Sequence, residues 1–186
     1  MPVAPKYQEK GKQLVGEGKT AEAVRMIQQL NTADPALKLD QEQTIGKWTA
    51  PFLKEAAQKL LAEKKFTEAI AAFNRVEQMD SKVIPASLWN SLCWQGALRG
   101  HPSKVLDACE KAVRSATAEK SWEFRDSRGL ARALTGNSQG AIEDFEFVIK
   151  KTGDEKLKKQ RQAWVQALRA GQNPFTKEEL ATLQNQ

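Results

Sequence analysis

Small and apolar residues recur at helical spacing in four separate stretches of the chain. These stretches superpose without gaps, and they are residues 18–35, 64–80, 100–116 and 136–152. Their sixth, tenth and thirteenth positions carry, in order, Ala23, Ile27 and Leu30; Ala69, Phe73 and Val76; Val105, Cys109 and Ala112; and Ala141, Phe145 and Val148. Offsets of four and three place these positions on one helical face. We therefore predict that each stretch is the second helix of a packed pair.

A further helical pattern precedes each stretch, over residues 5–17, 52–63, 87–99 and 122–135. Three of these patterns end at a glycine, the residue that most readily takes the left-handed conformation after a helix. The glycines are Gly18, Gly100 and Gly136, and Lys64 stands at the fourth position. The stretches begin at residues 18, 64, 100 and 136, so successive starts differ by 46, 36 and 36 residues. Two helices in a period of about 35 residues are typical of a helical solenoid, here with an insertion after the first unit.

The pattern resembles the tetratricopeptide repeat (TPR) family, which repeats a small residue, a turn glycine, alanine, an aromatic residue, alanine and a closing proline. The first unit matches at Gly11, Gly18, Ala23, Ile27, Leu30 and Pro35, and the fourth at Gly129, Gly136, Ala141, Phe145 and Val148. The resemblance implies an all-α fold, a right-handed superhelical solenoid of about four antiparallel helix pairs with capping helices. The implied units are residues 5–35, 52–81, 87–117 and 122–152, in a single domain over residues 1–186.

Three longer runs also look like TPR tails of bacterial multidomain proteins that carry propeller or caspase-like domains. The runs are SLWNSLCWQGALRG (87–100), RDSRGLARALTGNSQGAIEDF (125–145) and RQAWVQALRAGQNPFTKEEL (161–180). No such second domain is present in this sequence. This likeness favours a scaffolding or sensing role in a bacterial protein.

The regions outside the repeats are also expected to be helical. In the insertion 36–51, Asp40 is expected to cap a short helix 41–48, and Thr49 before Pro51 to cap the next helix. A helix over about 155–170 follows the last repeat. Thr176 and Glu179 then form a capping box that opens a short helix 177–183, and we interpret the segment 155–184 as the cap of the repeat stack.

Composition favours a soluble globular protein, because 40% of the residues are hydrophobic and 28% are charged. No apolar stretch approaches the roughly 20 residues that cross a bilayer, and the start MPVAPKYQEKGK lacks the apolar segment of a secretory signal. We therefore expect a cytoplasmic protein. Cys93 and Cys109 occupy facing positions of one helix pair; packed thiols are expected there, with a reversible disulfide as the alternative.

The residue inventory argues against an enzyme. The chain has one histidine, His101, in a predicted turn, and it lacks the GxxxxGK[ST], GxGxxG and HExxH patterns. No metal site or cofactor is expected. The stretch Arg125–Gly129 places a serine between an acid and arginines, which suits an anion, but we favour a role in holding its helix against a neighbour.

The net charge of +6 comes from 29 basic and 23 acidic residues, so basic and acidic side chains are mixed along the chain. One basic run, residues 150–161, offers an alternative function as a nucleic-acid-binding module, although a solvated helix face explains the run more simply.

The family resemblance implies a partner-binding concave groove lined by the first helices, at positions ten and six residues before each turn glycine. These positions are Gln8, Lys12, Lys54, Gln58, Asn90, Trp94, Asp126, Leu130 and Arg161. The lysine–asparagine spacing of chaperone-tail binders is broken here, so a different protein or peptide segment, of acidic character near Lys12 and Lys54, is the expected partner. Trp89 and Trp164 are expected in the core. No membrane contact is expected, and a monomer is favoured.

Overall fold

Residues 4–185 are described by the computed structural model, and they are helical with no strand among them. The helices are α1 (Pro5–Gly16), α2 (Thr20–Ala33), a 3-10 helix (Pro35–Leu37), α3 (Gln41–Ala62), α4 (Phe66–Met79), α5 (Ala86–Leu98), α6 (Pro102–Arg114), α7 (Ser121–Leu134), α8 (Ser138–Lys151), α9 (Glu155–Arg169) and α10 (Lys177–Gln184). Helices adjacent in sequence pack in pairs. The all-α expectation is therefore confirmed, and the packing is consistent with a helical repeat.

The chain forms two compact units, one up to Ile84 and one from Pro85 onward. In the first unit, α3 packs against α4, and α1 packs against both α2 and α3. In the second unit, α5–α6 and α7–α8 are the closest pairs, with α6 against α7, α5 against α7, and α8 against α9. The predicted stripe residues form the core of both units: Ala23, Ile27, Ala69, Phe73, Val76, Val105, Cys109, Ala112, Ala141, Phe145 and Val148 are all fully buried.

The insertion contributes to a long helix, and the expected break between residues 48 and 52 is wrong. Helix α3 runs through Pro51 without interruption, and the Thr49 hydroxyl donates to the Ile45 carbonyl at 2.8 Å instead of capping a new helix. A proline inside a helix costs about 3 kcal/mol. Packing offsets this cost, because Trp48 and Ala50 beside the proline are buried. The Trp48 ring lies over Gly11 of α1, where a Cβ would come within 2.5 Å of it.

The turns after the first helices use the left-handed backbone as predicted. Gly18, Gly100 and Gly136 have φ of 75°, 85° and 86°. Lys64 takes the same conformation with φ 61°. A side chain in this region crowds the following carbonyl, which costs about 1–2 kcal/mol relative to the right-handed region.

We predict that Lys64→Gly raises the free energy of unfolding by about 0.5 kcal/mol, because relief of the left-handed strain exceeds the added entropy of an unfolded glycine. Urea unfolding followed by circular dichroism measures the change. Lys59→Gly, at an exposed position inside α3, is the control and should lower stability by about 1 kcal/mol. A lower midpoint for Lys64→Gly would show that the turn carries no such strain.

Cys93 and Cys109 are joined by a disulfide between α5 and α6, so the expectation of packed thiols is wrong. The reason lies in the repeat register. In the α7–α8 pair the same two positions hold Gly129 and Phe145, and a Cβ added at Gly129 would lie 2.8 Å from the phenylalanine ring. With cysteine at both positions, the same close approach brings the Cα atoms to 4.9 Å, within the range for a disulfide.

Reduction of this disulfide should lower the free energy of unfolding by about 3 kcal/mol, because the unfolded chain regains the entropy of a loop with sequence separation 16. Chemical unfolding with and without reductant measures the difference. The Cys93→Ala/Cys109→Ala double variant should not respond to reductant. Identical wild-type curves in both conditions would contradict the prediction.

Candidate interaction site

A buried ion pair connects α7 to α9 in the second unit. The Arg161 guanidinium donates from Nε and Nη2 to the two carboxylate oxygens of Asp126, at 2.8 and 2.5 Å. Arg161 is 2% exposed and Asp126 is 8% exposed, and Leu130, one turn after Asp126, is fully buried. These three residues were predicted to line an open groove. In this structure their side chains lie inside the unit and hold helices together.

The opposite side of α7 carries a second charged network. Arg128 donates to both carboxylate oxygens of buried Asp144 in α8, at 2.8 and 2.6 Å, and to Glu110 of α6 at 2.7 Å. Arg132 also donates to Asp144 and Glu110, at 3.0 and 2.7 Å. Burial of Glu110 tends to raise its pKa, but the hydrogen bonds and charges of the two arginines outweigh this effect and hold the pKa below its usual value.

The stretch Arg125–Gly129 therefore serves packing, which is the interpretation we favoured over anion binding. The buried Ser127 hydroxyl donates to the Glu123 carbonyl at 3.4 Å. The Arg125 guanidinium stacks over the Phe147 ring at 4.1 Å. Every side chain of this stretch that carries a polar group has a partner within the unit.

Three aromatic rings, on α8, on α9 and in the segment before α10, pack against one another. Trp164 of α9 meets Phe145 at 5.3 Å and Phe175 at 4.8 Å between ring centroids, both edge to face. The Arg161 guanidinium lies over the Trp164 ring at 4.0 Å. Trp164 and Phe175 are each 4% exposed, so the expected core position of Trp164 is confirmed, as is that of Trp89. Phe175 fixes the chain between α9 and α10.

The last helix, α10, folds back over the second unit. Its N-cap Thr176 accepts from the Glu179 backbone N–H at 3.2 Å, as the capping pattern predicts. The Glu179 carboxylate accepts from Gln160 at 2.8 Å and from the Trp164 indole N–H at 3.2 Å, both on α9. At the other end, Gln184 donates to the Leu98 carbonyl at 2.6 Å, where α5 ends. The sequence did not reveal these long-range partners of α10.

Leu183 is the one buried residue of α10, at 1% exposure. Complete burial of a leucine contributes about 1.5–3 kcal/mol. Helix α10 therefore bridges α9 and α5 through three hydrogen bonds, and burial of Leu183 adds an apolar contribution. Helix α7 contacts both of these helices, since it packs against α5 and binds α9 through Asp126.

Asn90 and Trp94 lie one turn apart on α5 and remain partly exposed. The Asn90 Oδ1 atom is buried and accepts no hydrogen bond within the described residues. A buried carbonyl oxygen without a donor costs about 1–3 kcal/mol. Of the predicted groove residues in the second unit, these two alone keep partly exposed side chains, and the unpaired Oδ1 atom of Asn90 lies below that surface, one helical turn from Trp94.

In the first unit the predicted groove residues are accessible to different degrees. Gln8, Lys12 and Lys54 are half-buried, and Gln58 is exposed. Lys12 pairs with Glu9 at 2.9 Å, a partly exposed ion pair. The first helices α1 and α3 that carry them are in contact.

The remaining surface features do not identify a ligand. An open cleft of about 890 Å³ lies between the start of α3 and the end of α4, but it mixes acidic and basic side chains. Among residues 4–185 no cluster of histidine, cysteine and carboxylate side chains is arranged to hold a metal ion. No described helix is long and apolar enough to cross a membrane.

No family model, no curated protein and no solved structure matches this chain.

Asp144→Asn should lower the free energy of unfolding by about 3 kcal/mol, because Arg128 and Arg132 would be left partly buried without this counter-charge. Denaturant unfolding measures the loss. Glu143→Gln, at the neighbouring exposed position of α8, should change stability by less than about 0.5 kcal/mol. Equal, small effects of the two substitutions would show that the network does not stabilise the unit.

Proposed function

We propose that this chain is a TPR-type, right-handed helical solenoid that binds a segment of a partner protein and catalyses no reaction. The paired helices, the regular period and the left-handed turns at Gly18, Gly100 and Gly136 support the repeat assignment. The proposal takes its partner class from the family resemblance. In this proposal the first helices α5, α7 and α9 form the face of the second unit that receives the partner segment.

The unpaired Asn90 Oδ1 beside Trp94 is the single observation on which the binding site depends. Because Oδ1 is buried in the unbound chain, the Asn90 amide would have to turn toward solvent to accept from a backbone N–H of an incoming segment, and the partner would at the same time cover the half-buried indole. Tryptophan is enriched among the few residues that dominate binding energy at protein interfaces. The pair therefore suits an extended or helical segment better than a small charged ligand.

In the first unit, Lys12 and Lys54 extend the proposal to partners of acidic character. Charged groups at the edge of an interface contribute more to association rate and selectivity than to affinity, and we expect the same of these half-buried lysines. They are consequently expected to modulate binding, whereas Asn90 and Trp94 are expected to determine it.

The alternative, nucleic-acid binding through residues 150–161, gains no support from the geometry. Arg161 is buried against Asp126, which removes it from the basic run. Lys150, Lys151, Lys156 and Lys159 are exposed, as a solvated helix face requires. A monomeric state also remains a proposal, whereas the cytoplasmic location expected from the sequence conflicts with one feature of the structure. The Cys93–Cys109 disulfide argues against a reducing compartment, in which paired cysteines are normally thiols.

Affinity capture from extract of the source cells, with quantitative mass spectrometry, tests the proposed site. Asn90→Ala/Trp94→Ala should reduce recovery of the true partner at least about tenfold, since each loss removes on the order of 1 kcal/mol or more. Trp122→Ala, which removes a half-buried tryptophan elsewhere on α7, should leave recovery unchanged. Equal recovery by all three proteins would place the partner site outside α5, and nucleic acid would then be tested by its salt dependence.

A further inference from the structure

We propose that α10 is a displaceable internal ligand. It is held by α9 and α5 on the face that receives a partner, and the partner is an amphipathic helix with the same side-chain pattern. The inference rests on the proposed binding function and adds the class of partner and the way access is controlled. All residues involved belong to the second unit.

The attachment of α10 identifies the chemistry that this face recognises. The face offers two donors, the Trp164 indole N–H and the Gln160 amide, to the carboxylate of Glu179. The leucine that follows four residues later, Leu183, is buried in the docked helix. The face finally offers a helix-terminal carbonyl, that of Leu98, to the amide of Gln184. An acid, a leucine one turn later and an adjacent amide donor therefore describe a matching helix.

Helix α10 is attached weakly enough to be exchanged. It is 8 residues long, and Leu183 is its one buried residue. A helix of this length is not stable alone in water, so α10 holds its conformation only while it is docked. By contrast, Phe175 is packed between Trp164 and Phe145, which keeps the base of α10 in place when the helix itself leaves.

The receiving face extends beyond the part that α10 covers. Gln184 binds at the end of α5, and Trp94 and then Asn90 follow one and two turns earlier on the same helix. The Asn90 Oδ1 atom is buried in the unbound chain and accepts no hydrogen bond among the described residues. A partner helix longer than α10 would make the same three contacts and also cover the partly exposed Trp94 ring, which gives it an advantage over the internal ligand.

The connection to α9 makes α10 an efficient competitor. A short linker holds a tethered ligand at a millimolar effective concentration. If the face is closed nine-tenths of the time, the apparent dissociation constant for an external helix rises about tenfold. Disabling α10 should remove this penalty without changing the face itself.

The test uses the full chain and a fluorescein-labelled peptide with the sequence of residues 176–185, TKEELATLQN, as the probe. In fluorescence anisotropy, the Leu183→Asp protein should bind the peptide about tenfold or more tightly than the wild type. The Thr182→Asp protein, with the same charge on the exposed side of α10, should behave as the wild type. A peptide carrying its own Leu183→Asp change should not bind. Equal binding of the peptide to all three proteins would overturn the proposal.

Hydrogen–deuterium exchange shows whether Leu183→Asp changes only α10 or the whole second unit. The proposal requires that the amides of α10 lose protection while those of α5, α7 and α9 keep it. General loss of protection would mean that α10 is a structural cap, and the proposal would be wrong.

The milder Gln184→Ala protein, which loses only the contact to Leu98, should bind the peptide about threefold more tightly. A wild-type dimer with exchanged α10 helices would also overturn the proposal of a separate partner.

The outcomes separate this inference from the proposed function. Loss of the captured partner on Asn90→Ala/Trp94→Ala, without peptide binding to the Leu183→Asp protein, would keep the scaffold and reject the internal ligand. Peptide binding to that protein, without a partner dependent on Asn90 and Trp94, would keep the helix-binding face and reject the assigned groove.

Discussion

The buried pair between Asp126 and Arg161 organises the second unit from α7 to the end of the chain. Arg161 uses two of its nitrogens for Asp126, donates to the Gln160 side chain at 2.5 Å and lies flat over the Trp164 ring. Gln160 and Trp164 are the two residues that hold Glu179 of α10. One guanidinium therefore sets both the position of α9 and the orientation of the groups that bind the last helix.

A buried ion pair is stabilising only when its remaining polar atoms also have hydrogen-bond partners. Removing a charge from water costs several kcal/mol, and the attraction of the partner compensates for this only with good geometry and further hydrogen bonds. Both conditions hold for Asp126 and Arg161, and they hold again for Asp144, which two arginines bind. Helix α7 thus has charged anchors on opposite sides, toward α9 and toward α6 and α8. Small residues such as Gly129 leave room for close packing between these anchors.

The sequence predicted those features that depend on local spacing. The stripe Ala141–Phe145–Val148 and the turn at Gly136 follow from helical periodicity and from the conformational freedom of glycine, and both are present. Pro51 misled the interpretation, because its local cost is exceeded by the burial of Trp48 against Gly11, a contact that no local pattern reveals. The cysteines were placed on facing positions correctly, but the bond depends on how closely α5 and α6 approach.

Prediction of the site was limited for a related reason. A rule based on spacing from the turn glycine assigned Asp126, Leu130 and Arg161 to one face, yet it contains no information about what covers that face. The groups that pack there come from far along the chain. Arg161 of α9 pairs with Asp126 across 35 residues, and Gln184 of α10 donates to Leu98 across 86. An eight-residue helix with one buried leucine looks like a simple terminal cap in sequence. Its contacts show that a face expected to be open is partly occupied by the chain itself, while Asn90 and Trp94 on α5 stay partly exposed and the buried Asn90 Oδ1 has no donor among the described residues.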